Sequence, residues 1–95
     1  MYLLIDIGNT ACKVAFADNE KIGKVYRCAE EDIRQFIRDV FAAEHPGQRA
    51  DVAVLSNVRA DDPALEEMLR NERCNRLIVL DVPECNRLVE TGLAQ

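Results

Sequence analysis

Asp6, the Gly8-Asn9-Thr10 turn and Lys13 are the residues of this chain whose types and spacing could do chemistry. Asp6 stands inside the apolar run LLIDI (residues 3–7), where a buried charge is costly unless something pairs with it. Gly8 admits a ligand close to the backbone and tolerates positive φ. Asn9 tolerates left-handed geometry and can donate from its amide, and Thr10 adds a hydroxyl. Successive N–H groups in such a turn can cradle an anion. Lys13 can return a compact positive charge to the same place. Asp6 would then hold a hydrated cation of the kind that accompanies nucleotide phosphates. The same residues also fit a plain hairpin, with Asp6 bonded to nearby backbone N–H groups and Lys13 solvated.

The elements that must position these residues follow from hydrophobic period. Residues 2–7 (YLLIDI) are apolar on both faces, as expected of a central strand covered on two sides. Residues 11–17 alternate, with Cys12, Val14 and Phe16 on one face. Asp18-Asn19-Glu20 reads as a turn, and residues 22–27 as a third strand of an antiparallel meander. From Ala29 to Glu44 the period becomes helical: Ile33, Phe36, Ile37, Val40 and Phe41 share one face. Glu30, Glu31 and Asp32 fall in the first turn of that helix, where anions are favoured, and His45-Pro46-Gly47 stops it. Residues 51–55 (DVAVL) read as a strand buried on both faces. Asp61 or Asp62 caps a second helix with Pro63 at its first position and Leu65, Met68 and Leu69 as its stripe. Residues 76–82 contain LIVL, read as a last buried strand, and residues 83–95 show no period.

The order β-β-β-α-β-α-β, with right-handed crossovers, predicts an α/β domain with a mixed five-stranded sheet in the order 3-2-1-4-5. Ligands of open sheets collect where neighbouring connections depart in opposite directions. That rule brings Gly8-Asn9-Thr10 and Ser56-Asn57 to one crevice, although they lie far apart in sequence.

Composition narrows the class. The 95 residues are 48% hydrophobic, with four Gly and three Pro, which suits one small globular domain. Net charge is −5 and no two Lys or Arg are adjacent, so a nucleic-acid footprint is missing. There is no run of 18 apolar residues and no basic leader ahead of an apolar stretch, which argues against a membrane span or a signal peptide. Cys12, Cys28, Cys74 and Cys85 form no C-x-x-C pair, and His45 is the sole histidine, so zinc is not expected and a reduced, cytoplasmic protein is. Asp18, Glu20 and Lys21 read as a solvated hairpin tip. Arg70, Arg73 and Arg76 interleave with Glu66, Glu67 and Glu72 as a mixed-charge face. Arg59, just past Ser56-Asn57-Val58, reads first as a surface arginine and second as a group able to reach an anion in the crevice.

The motif Asp6-Ile7-Gly8-Asn9-Thr10 with Lys13 resembles the first phosphate motif of the superfamily of acetate kinase, sugar kinases, heat-shock ATPases and actin. Within it, the opening is most similar to that of type III pantothenate kinases. VAVLSNV (52–58) is similar to their second block. The resemblance implies a ribonuclease H-like half-domain over residues 1–82, with residues 83–95 leading to a second domain that this chain does not include. It implies ATP phosphates on Gly8, Asn9, Thr10 and Lys13, and Asp6 as the catalytic residue facing Mg²⁺ and the transferred phosphoryl. It further implies a monovalent cation (K⁺ or NH₄⁺), pantothenate as acceptor, and a homodimer. The block that bears the family's proposed general base lies beyond this sequence, so the resemblance implies an N-terminal part that does not turn over alone. Two other readings fit the same half-fold: a noncatalytic nucleotide-responsive regulatory protein, and another small-molecule kinase of the superfamily.

Overall fold

The structure is a computed structural model that describes residues 1–28, 32–59 and 62–80. Five strands, β1 (Tyr2–Ile7), β2 (Cys12–Ala17), β3 (Ile22–Cys28), β4 (Ala50–Asn57) and β5 (Cys74–Leu80), form one sheet in the order β3-β2-β1-β4-β5. The β1–β2 and β2–β3 pairs are antiparallel, and β4 runs parallel to both β1 and β5. The expected element order and sheet order are therefore observed.

Helix α1 (Ile33–Glu44) starts four residues later than its apolar period suggested. Asp32 is its N-cap rather than a first-turn residue: its carboxylate accepts from the Arg34 and Gln35 N–H groups at 3.0 and 3.4 Å. Glu30 and Glu31 lie outside the described residues. Gly47, with φ of 73°, turns the chain back after the His45 cap, a conformation that glycine adopts without a Cβ penalty. Helix α2 (Pro63–Met68) is capped by Asp62, whose carboxylate accepts from Leu65 N–H at 3.1 Å. Asp61 lies outside the described residues. The helix continues as a π turn over Leu69–Arg73, which the sequence pattern did not indicate. Arg49, just ahead of β4, donates to the carbonyls of Arg70 and Asn71 at 2.8 Å each and also to that of Cys74. Those carbonyls end the helix, and the guanidinium fork satisfies them where no further helical N–H can.

Alternation along the strands decides where the core sits. Leu3, Ile5 and Ile7 of β1, Cys12, Val14 and Phe16 of β2, and Ala53 and Leu55 of β4 all join one cluster with Ile37, Val40 and Phe41 of α1 and Leu65, Met68 and Leu69 at the second helix. Both helices thus cover the same face. Phe41, fully buried, meets Phe16 edge-on at 5.3 Å between ring centres, and His45 stacks edge-on against Phe16 at 4.6 Å. Burying side chains of this size contributes roughly 1.5–3 kcal/mol each.

The other face carries no helix among the described residues, which corrects the expectation of strands covered on both sides. Tyr2 is exposed, Leu4, Val52 and Val54 are half-buried, and Val25, Ile78 and Leu80 are exposed. β5 is an edge strand rather than a buried one: it begins at Cys74, and residues 81 and 82, assigned to it from the sequence, lie outside the described residues, as does the tail 83–95. Its apolar run is a composition that a buried strand and an apolar, half-open edge share. Asp18 is more than a solvated tip. It accepts from the Glu20 and Lys21 N–H groups, both at 2.9 Å, and these donors hold its carboxyl below the usual range.

Cys12 and Cys28 stand directly opposite each other on β2 and β3, both buried. Burial pushes the Cys12 thiol up from 9.0 to about 11, and the facing Cys28 adds to the shift. In the unfolded chain this thiol loses its proton near 9.0; in the fold it does so only near 11. The folded state therefore binds more protons between those values, and stability falls as pH rises through the window. Urea unfolding of the wild type and Cys12→Ala should show the wild type losing on the order of 1–2 kcal/mol relative to the variant across that range, solvent screening included. Parallel pH profiles would mean that the thiol is solvated in the folded chain.

Candidate functional site

Register lines up the first set of site residues. Asp6 of β1 pairs with Lys13 of β2 on one side and with Ser56 of β4 on the other. Arg27 extends the row on β3 and Leu80 closes it on β5. Since Ile5, Ile7, Val14 and Leu55 are buried against the helices, their strand neighbours Asp6, Lys13 and Ser56 lie on the open face. The cost that a charge inside an apolar run implied is thereby removed: Asp6 is exposed. Among the described residues its carboxylate accepts no hydrogen bond and joins no ion pair, so it does not cap the turn. The row borders a groove of about 320 Å³ whose floor includes Leu4, Ala15, Val54 and Leu80.

The turn after β1 is built differently from expectation. Gly8 N–H donates to Ala11 carbonyl at 2.8 Å, closing the turn on itself. Among the described residues Gly47 alone has positive φ, so neither Gly8 nor Asn9 is left-handed, and the turn is not the nest that alternates right- and left-handed residues. A Cβ at Gly8 would meet Ala11 carbonyl at 3.5 Å, an ordinary contact, so the fold itself does not demand glycine there. The N–H groups of Asn9 and Thr10 have no acceptor among the described residues, and both side chains are exposed. Two backbone donors without an acceptor among the described residues and two exposed polar side chains thus stand at the end of β1.

The loop after β4 meets this turn, as the topology required. Val58 N–H donates to Ile7 carbonyl at 3.0 Å, and Asn57 Oδ1 accepts from Arg59 N–H at 2.9 Å. Arg59 Nε then donates to Gly8 carbonyl at 2.5 Å, across 51 positions of sequence. Arg59 is therefore not simply a surface arginine. Sequence reasoning placed its loop in the crevice, but the bond depends on the reach of one side chain, which no pattern encodes.

The residues present suit a magnesium ion that travels with phosphates. No group of three or more His, Cys, Asp or Glu could hold a metal among the described residues. Asp6 is a single, exposed carboxylate. Mg²⁺ commonly takes one or two carboxylates and fills its octahedron with water and substrate oxygens, whereas an all-protein cage is rare for it.

Because nothing among the described residues uses the Asp6 carboxylate, Asp6→Asn should leave the urea midpoint essentially unchanged, within about 0.5 kcal/mol. A loss near 1 kcal/mol, typical of a removed cap, would instead restore the plain hairpin reading. No protein-family model matches this chain, and no curated protein matches it at a significant level.

Proposed function

We propose that residues 1–82 bind the phosphates of ATP and constitute the nucleotide-binding N-terminal part of a small-molecule kinase, with pantothenate as the acceptor. The observation that carries this reading is the row Lys13–Asp6–Ser56 beside N–H groups that have no acceptor among the described residues, at the carboxyl ends of two adjacent parallel strands. In open sheets that is where ligands bind. Lys13 supplies a point charge for phosphate oxygens. The Asn9 and Thr10 N–H groups and the Thr10 hydroxyl supply directed donors. Asp6 would hold Mg²⁺, which neutralises charge on the phosphoryl group when bound. Phosphoryl transfer asks little of a protein beyond positioning and charge neutralisation, and exposed, pre-placed groups at a rigid strand end meet that demand.

The acceptor, the monovalent cation and the homodimer rest on the resemblance of residues 6–10 and 13 to type III pantothenate kinases. In that reading the reaction is transfer of the γ-phosphoryl of ATP to the primary hydroxyl of pantothenate, the first step toward coenzyme A. A cytoplasmic location is proposed from the cysteine pattern, which suits a reduced protein. No helix among the described residues is long and apolar enough to cross a membrane.

Calorimetric titration of the chain with Mg-ATP tests the proposal. Weak binding is expected, with Lys13→Ala reducing affinity about tenfold or more, the equivalent of one charge-assisted contact. Asp6→Asn should weaken Mg-ATP more than ATP without metal. A folded wild type that takes up no ATP would sink the phosphate site.

A further inference from the structure

We infer that Arg59 is a second phosphate-binding cation of the same site, fixed in place by the Gly8 carbonyl. This rests on the phosphate-turn reading and adds a residue to it. Three observations carry it.

First, Arg59 Nε is bonded to the turn itself, 2.5 Å from Gly8 carbonyl, so its guanidinium is held beside the residues that would take a phosphate. A guanidinium has five N–H donors in a rigid fork, and one bond through Nε leaves the terminal groups to face oxygens of a phosphate.

Second, the loop does not need the side chain as a latch. Val58 N–H to Ile7 carbonyl at 3.0 Å and Arg59 N–H to Asn57 Oδ1 at 2.9 Å already join it to β1 and shape it. An exposed arginine spent on one more neutral carbonyl would add little to stability.

Third, the charges around the turn are divided. Lys13 stands on the β2 side of Asp6, and Arg59 reaches the turn from the β4 side. A polyphosphate is a chain of anionic groups, and cations on both sides of one turn suit it better than a single lysine.

The test is a titration of the 95-residue chain with inorganic tripolyphosphate and with Mg-ATP, followed by amide shifts of Gly8, Asn9 and Thr10 and by the Arg59 Nε–H resonance. In the wild type all four signals should move together. Arg59→Met keeps the aliphatic stem and should weaken tripolyphosphate binding about tenfold, with the urea midpoint unchanged. Arg59→Lys should recover part of the loss, because it restores charge without the fork. If Arg59→Met binds like wild type while Lys13→Ala does not, Arg59 is no ligand and the phosphate turn stands without it. An Arg59 Nε–H signal that stays still while the turn amides shift would also overturn the inference. A wild type that binds neither probe would overturn both the inference and the phosphate site beneath it.

Discussion

The candidate site depends on the parallel pairing of β1 with β4. That pairing is fastened at both ends outside the ladder: Asp51 N–H donates to Met1 carbonyl at 2.9 Å, and Val58 N–H to Ile7 carbonyl at 3.0 Å. Between those ends six consecutive residues of β1 face six of β4, from Tyr2 against Val52 to Ile7 against Asn57. Two loops from distant parts of the sequence therefore finish side by side, one turning into a hairpin and the other leading to a helix. The crevice exists because the two strands end at the same height and their connections part there.

Among the described residues, one-sided layering sets the character of the molecule around that crevice. Both crossovers return on the same face, as right-handed connections of successive parallel strands do. The core is thus a sandwich of one sheet face with α1 and α2, tightened by the Phe16, Phe41 and His45 rings. Surface charges support this arrangement modestly. Arg38 meets Glu72 at 3.1 Å, linking α1 to the π turn, and Arg70 meets Glu66 at 3.7 Å, which is the mixed-charge face that the sequence suggested. Exposed pairs of this kind are screened by solvent and contribute little, so the core carries the fold.

Much of this was legible in the sequence because period separates faces. Alternation in residues 12–16 and the helical spacing of Ile33 to Phe41 identified the core-facing side chains, of which Ile33 and Phe36 are only half-buried at its edge, and the order of elements led to the sheet order. What escaped was whatever depends on the absence or presence of a second layer. An apolar run such as LIVL is compatible with a strand covered on two faces and with an exposed edge, and only the packing tells them apart. The same ambiguity made Asp6 look buried. The π turn escaped for another reason: it is supported by Arg49, more than twenty positions upstream, and no local signal reports that. The turn at Gly8 was read from the conformations its residues permit, and the chain adopts a more ordinary one.

The two-residue repeat of β1 places a limit on how this chain can be edited. Ile5 and Ile7 fill the core while Asp6 between them faces outward. Removing or adding a single residue within the strand would rotate the set by one step, sending a carboxylate among Phe41 and Leu55 and an isoleucine into water. It would also shift the chain against β4, so that Ser56 faced the wrong neighbour. Length is consequently frozen in this segment even where side-chain identity is not. Insertions belong in Asp18–Lys21 or His45–Gln48, where the chain turns at the surface and neither register nor face is disturbed.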